Sequence, residues 1–229
     1  MSAFTIGLDF GTNSVRAVVV SCADGSTVGT HVFDYPSGEN GILLDSRDHH
    51  LARQHPGDYL QGLKESIPGA ITDAEGFPGF EPGAVIGIGV DTTGSTPLPV
   101  DVRAQPLGLD PAWEGNLAAQ AWLWKDHTGA EEAAAITATA QEYAPQYLAV
   151  IGATYSSEWF WSKIWRCLKV APDVFQAADS WVELADYVPA VLTGARSPRE
   201  IPRCVCAAGH KAMYSQAWGG LPSKEFLAR

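Results

Sequence analysis

Apolar and polar residues alternate along the first part of the chain in a way that predicts strands. Residues 3–9, 15–21 and 27–34 each read as a β-strand, and Asp24-Gly25 supplies a tight reversal between the second and third. The first reversal is more polar. A strand ending on Asp9 turns through Gly11, Thr12, Asn13 and Ser14 before the apolar run resumes at Val15. Residues 36–55 are polar and irregular. Pro56 then opens a helix to about residue 71, with Tyr59, Leu60, Leu63 and Ile67 at helical spacing. A Gly/Pro-rich stretch over 76–83 ends that segment, and Val85–Val90 reads as a buried strand. Leu98-Pro-Val100 is expected to continue the same sheet as an edge strand.

From residue 116 the pattern turns helical, with candidates at 117–124, 128–142, 157–170, 172–178 and 181–192. Gly194 closes the last of these, and Ser223 is placed to cap another. An antiparallel meander followed by helix, strand and more helices predicts an α/β fold. Its centre is a mixed sheet flanked by helices, with a helical insertion.

Composition narrows the function. With 229 residues, 46% hydrophobic and 18% charged, the chain can bury a substantial core. The formal net charge of −11 repels polyanions, so neither nucleic acid nor an anionic membrane surface is an expected partner. A small phosphate ligand needs only a local site and stays open. Cys22, Cys167, Cys204 and Cys206 match neither a disulfide framework nor a zinc site, and reduced, partly buried thiols are expected. No segment before the first strand has the make-up of a secretory leader, and no run reaches the ~18 apolar residues of a membrane span. A cytoplasmic location is therefore expected.

A carboxylate at a strand end, beside a turn rich in N–H and hydroxyl groups, suits a phosphate with its metal ion. On that reading Asp9 holds the metal or its water, Gly11 lets the backbone approach, and Thr12, Asn13 and Ser14 add donors. The same pattern fits an ordinary β-hairpin with a capping Asp. Arg16 reads equally as an anion ligand or as a charge near the sheet edge. The loop Asp91-Thr-Thr-Gly94-Ser95-Thr96 has the hydroxyls, carboxylate and glycine that recognise a polyol, and solvent-facing turn residues account for it equally well. Trp122-Leu-Trp124-Lys-Asp126-His127 is either an aromatic wall with polar groups at its edge or two core tryptophans beside a wet cap. The aromatics of 155–165 have helical spacing and read mostly as core. Lys211, after Ala207-Ala-Gly209, is a candidate ligand or a surface lysine. The histidines at 49, 50, 55 and 127 make no metal pattern, and no nucleophile elbow or dinucleotide fingerprint is present.

Together these segments resemble the N-terminal half of a carbohydrate kinase of the FGGY family, in the sugar kinase, Hsp70 and actin superfamily with its ribonuclease H-like lobe. The resemblance runs the whole length. It rests on Asp9-Phe-Gly-Thr-Asn-Ser-Val-Arg16, Gln54-His-Pro56 with Tyr59, Ile86-Gly-Ile-Gly-Val-Asp91 with Thr96, Leu123-Trp-Lys-Asp-His127, Ser156-Ser-Glu-Trp159 with Lys163 and Trp165, and Ala208-Gly-His-Lys-Ala212. The first motif marks the superfamily. The Gln-His-Pro, Trp-Lys and Gly-His-Lys-Ala segments in combination are similar to the ribulokinase branch. Small residues at Gly94-Ser95 agree with that branch, since most of the family has an Arg-Glu pair there.

The resemblance implies ATP and Mg²⁺ as cofactors and a small ketopentose as substrate. Asp9, Gly11, Thr12, Asn13, Ser14 and Arg16 would form the phosphate side, with Asp9 reaching the metal indirectly through Mg-ATP. Gly94, Ser95, Thr96, Trp124, Asp126 and Lys211 would line the sugar site. The reaction implied is phosphorylation of L-ribulose to L-ribulose 5-phosphate in arabinose catabolism. The alternatives are another pentulose or polyol kinase, or a sugar-binding module without catalysis. Family members carry a second lobe with the general-base Asp and the glycine-rich adenosine loops. The chain is thus expected to be a truncated sugar-binding lobe, inactive alone, and a homodimer is compatible with it.

Overall fold

The computed structural model describes residues 3–229, His210 by its backbone alone. In chain order the strands and helices are β1 (Phe4–Phe10), β2 (Ser14–Ser21), β3 (Thr27–Asp34), β4 (Leu43–Asp45), β5 (Asp48–Gln54), α1 (Pro56–Ala74), β6 (Val85–Thr92), β7 (Pro97–Val100) and β8 (Ala121–Trp122). They continue with α2 (Ala130–Tyr143), α3 (Pro145–Ala149), α4 (Phe160–Val170), α5 (Pro172–Ala177), β9 (Ser180–Glu183), α6 (Leu184–Thr193), α7 (Val205–Lys211) and α8 (Lys224–Leu227). Two compact units result. One holds the chain up to Leu43 with Gln54–Thr93, the other Leu44–Arg53 with Gly94–Arg229.

The first unit is the expected mixed sheet, ordered β3-β2-β1-β6. β1 and β2 pair antiparallel, as do β2 and β3, while β6 runs parallel to β1. Strict alternation along β1 buries Phe4, Ile6, Leu8 and Phe10, and β2 answers with Val15, Ala17 and Val19. Each fully buried aliphatic or aromatic side chain contributes about 1.5–3 kcal/mol. α1 covers this face. Pro56 occupies its first turn, where a missing N–H costs nothing, and the His55 ring accepts a bond from Gly57 N at 3.1 Å as the N-cap. Close approach of α1 to the sheet depends on Gly62, since a Cβ there would run into Val15. Gly25, at φ +75°, makes the predicted turn after β2.

Two strand expectations need correction. β6 is an exposed edge, not a buried strand, with Ile86 72% and Ile88 46% accessible. β7 does not extend this sheet. It pairs antiparallel with β9 from Pro97↔Glu183 to Val100↔Ser180, and all four of its residues are buried.

In the second unit, β4, β5 and β8 form a three-stranded sheet. β4 and β5 fall within residues 36–55, read as irregular because polar side chains break the apolar alternation there. The helix expected over 117–124 is a single 3₁₀ turn, Leu117–Ala119, followed by β8. The helix expected from residue 181 begins as strand β9 and becomes helical only at Leu184; Gly194 then closes it in the left-handed conformation, as expected. The 157–170 helix starts at Phe160. α7 was not anticipated. Ser223 does cap α8, accepting from Phe226 N at 3.2 Å.

Two apolar clusters hold this unit together. One gathers Ile136, Tyr147, Leu148, Tyr155 and Met213, with Trp159, Trp161, Trp165 and Trp218 packed against it. The other gathers Leu107, Trp122, Cys167, Val174 and Trp181. The tryptophans are therefore mainly packing residues, as expected. All four cysteines are free, but only Cys167 is buried, because Cys22, Cys204 and Cys206 lie on exposed segments. Among the described residues no helix is long and apolar enough to cross a membrane.

Candidate functional site

The hairpin joining β1 to β2 is closed by Gly11 N donating to Ser14 O at 2.9 Å. Its tip is tied down from several sides within the first unit. Tyr35 N donates to Asn13 O at 2.9 Å, and Asn13 Nδ2 donates to Asn40 O at 2.7 Å. Gln54 Nε2 donates to Thr12 O at 2.8 Å, and the buried Tyr59 hydroxyl donates to Gln54 Oε1 at 2.7 Å. The Gln54-His-Pro56 segment with Tyr59 thus does three local jobs. Gln54 anchors the hairpin tip, His55 caps α1, and Pro56 starts it.

Asp9 stands opposite Arg16 in the antiparallel register and beside Asp91 in the parallel one. All three side chains leave the solvent side of the sheet. They line a depression of about 490 Å³ with Gly7, Val18 and Gly89. Two adjacent carboxylates with a guanidinium beside one of them are a donor set for a phosphate accompanied by a hard, oxygen-seeking cation. Among the described residues no group of three metal-ligating side chains exists, so such a cation would need ligands from the phosphate and water as well. The sequence grouped Asp91 with the hydroxyl loop that follows it. The structure divides them: Asp91 belongs with Asp9, while Gly94, Ser95 and Thr96 belong to the second unit.

In the second unit the hydroxyl loop is held from below. Glu183, at the end of β9, accepts from the Ser95 hydroxyl through Oε1 and from Thr96 N at 2.8 Å through Oε2. Leu184 N donates to Thr96 O at 3.0 Å. Ser95 and Thr96 are buried, while Gly94 points its open face at Lys211. A Cβ on Gly94 would overlap the Lys211 ammonium. The Lys211 segment is itself fixed by aromatic tips. The Tyr155 hydroxyl donates to Lys211 O and accepts from Trp161 N, and Trp161 Nε1 donates to Ala212 O at 2.9 Å.

Trp124 follows β8 and is 37% exposed. Asp126, two residues on, is fully buried and turned inward. It forms an ion pair with Arg53 and accepts from Ala52 N at 2.8 Å and from the Thr128 hydroxyl at 2.6 Å. The Arg53 guanidinium lies 3.5 Å over the Trp122 ring. Lys163 of α4 joins the two loops, with its Nζ 2.8 Å from both Ser95 O and Leu123 O. Gly94 and Lys211 are thus brought together, and Lys163 ties the Gly94 loop to the segment that carries Trp124. Ser95, Thr96 and Asp126 are buried. Sequence reasoning missed Glu183, a lone charge inside an apolar run, and Arg53, one polar residue among several in a polar segment.

No family model matches the chain. It is 41% identical over 224 residues to a ribulokinase of Vibrio parahaemolyticus, covering 97% of this chain and 39% of that protein. It is 40% identical to a ribulokinase of Shouchella clausii, covering 100% of this chain and 40% of the relative. The chain thus spans about two fifths of the length of these curated relatives. Among solved structures, xylulose kinase from Rhodospirillum rubrum superposes with a TM-score of 0.74 at 22% identity, over 98% of this chain and 40% of that one. Glycerol kinase of Plasmodium falciparum with ADP gives 0.62 at 13% identity, over 99% and 46%. The chain is related to ribulokinases and carries the sugar-kinase lobe fold of the FGGY family, a mixed sheet flanked by helices with a helical insertion.

Proposed function

We propose that this chain is the sugar-binding part of an ATP-dependent kinase that phosphorylates L-ribulose on its terminal 5-hydroxyl, yielding L-ribulose 5-phosphate for arabinose catabolism. The observation that carries the sugar half is the Lys211 ammonium over Gly94, on a loop that Lys163 ties to the segment of the partly exposed Trp124. An ammonium with three donors and an indole wall suit a small polyhydroxylated ligand. Ser95 and Thr96 shape the loop under this pocket, because Glu183 already engages the Ser95 hydroxyl and the Thr96 amide. Asp126 acts one step further back, fixing the Trp124 turn through Arg53 and Ala52.

The phosphate half rests on the first unit. Asp9 and Asp91 would hold a hydrated Mg²⁺, and Arg16 with the Thr12-Asn13 turn that Gly11 and Ser14 close would take phosphate oxygens. Bound Mg-ATP supplies the transferable phosphoryl group and the cation that offsets its charge.

Calorimetric titration of the chain with L-ribulose, D-xylulose and ribitol tests the sugar assignment. L-ribulose is expected to bind most tightly. Equal binding of D-xylulose would reduce the reading to a general pentulose kinase, and silence with all three would overturn it. L-ribulose-dependent ADP release under Mg-ATP is expected to be absent from this chain alone, and turnover would show that it builds a complete site by itself.

A further inference from the structure

We propose that Lys163 and Glu183 are positioning residues for the sugar loop, setting Gly94 and Trp124 in fixed relation so that the pocket is formed before any ligand arrives. This rests on the sugar-side reading above and assigns it two residues that do not face the ligand. Lys163 is fully buried on α4. Its ammonium donates to Ser95 O at 2.8 Å, Leu123 O at 2.8 Å and Trp122 O at 3.3 Å. Three donors meet three carbonyls.

A buried ammonium ordinarily takes a carboxylate partner. Here the carboxylates in its neighbourhood are engaged elsewhere, Asp126 with Arg53 and the Thr128 turn, Glu183 with Ser95 and Thr96, and Glu158 beside the His127 ring at 3.9 Å. Lys163 therefore grips backbone. The carbonyls it grips belong to the residue just after Gly94 and the two residues just before Trp124. Glu183 grips the other side of the same loop, through the Ser95 hydroxyl and the Thr96 amide. All five contacts fall on the two segments that carry the proposed sugar ligands. A network serving stability alone has no reason to concentrate there, and buried charge is in any case a poor source of net stability.

The test uses the whole 229-residue chain. Lys163→Met keeps the length of the side chain and removes its donors; Glu183→Met keeps the length and removes both acceptors facing Ser95 and Thr96. Each variant is assayed for thermal midpoint, amide exchange and L-ribulose affinity. The expected result is a folded protein with faster exchange at Ser95, Thr96, Leu123 and Trp124, protected amides elsewhere in the second unit, and affinity down at least about tenfold, because loose first-contact geometry is costly. Affinity within twofold of wild type in a folded variant overturns the proposal. Unfolding of both variants also overturns it, since the network would then serve the fold and not the loop. If the unmodified chain binds no sugar, the function above fails and exchange alone decides the clamp: faster exchange confined to the two segments supports it, and unchanged exchange rejects it.

Discussion

The Lys211 ammonium occupies the space that a side chain on residue 94 would fill, so Gly94 and Lys211 are fitted to each other across the loop. The fit predicts a specific coupling. Gly94→Ala displaces only the flexible end of a lysine, and the thermal midpoint should stay within a few degrees. L-ribulose affinity should fall about tenfold, and Lys211→Ala should lower it by a similar factor. Combined in one chain, the two losses should not add, because both remove the same ammonium from the same position. Additive losses measured by calorimetry would show that Gly94 acts by another route.

Arg53 and Asp126 form a buried pair whose removal should be expensive. Arg53→Met leaves the Asp126 carboxylate enclosed without its cation and uncovers the Trp122 ring. The expected cost is about 3–5 kcal/mol in urea unfolding. A cost below about 1 kcal/mol, the range of exposed pairs, would mean that solvent reaches the pair.

Burial pulls the Lys163 ammonium down to about 7, against Asp126, Glu183 and Glu158, which raise it, and with Arg53, which adds to the fall. The unfolded chain keeps that proton up to the ordinary value of 10.5, so unfolding takes up a proton between the two values. Stability should therefore be flat in this respect below about pH 7 and rise above it, by up to about 1.4 kcal/mol per pH unit. A neutral amine still has two donors for the two shorter carbonyl contacts. Urea titrations between pH 7 and 9 should show the rise in the wild type and lose it in Lys163→Met. Parallel pH curves for the two would refute the assignment.

Asp9 is exposed on the sheet and takes no part in the core. Asp9→Asn should leave the thermal midpoint and the L-ribulose titration unchanged. It should weaken Mg-ATP binding about tenfold, the effect of removing one charged ligand. Equal losses for sugar and nucleotide would contradict the division of roles between the two units.

The first unit was legible because alternation and helical spacing are local and strong there. β1 to β3 and α1 fall close to where the pattern put them. The second unit was legible only in part. Ser180–Glu183 reads as the start of a helix because Leu184, Tyr187 and Val188 follow at helical spacing; its strand character comes from pairing with Pro97–Val100, over eighty residues away. β5 was hidden for the opposite reason. Its Arg53 and Gln54 are buried polar residues, satisfied by Asp126 and Tyr59, and a hydrophobic pattern cannot register them. The candidate residues at loops and strand ends were proposed from their chemistry, whereas Glu183 and Arg53 could be found only once tertiary contacts were known.

The pairing of Asp9 with both Arg16 and Asp91 has a consequence for how such a site can change over time. Because side chains alternate along a strand, the positions that place Ile6, Leu8 and Phe10 inside also place Asp9 outside, in line with the two charges on neighbouring strands. A slip of one residue would carry the acid into the interior and the grease into water together. The charged trio therefore inherits its alignment from the oily side of the sheet. An insertion or deletion within β1 would erase the chemistry and the core in a single event, while point changes on the wet face stay free to retune the one without touching the other.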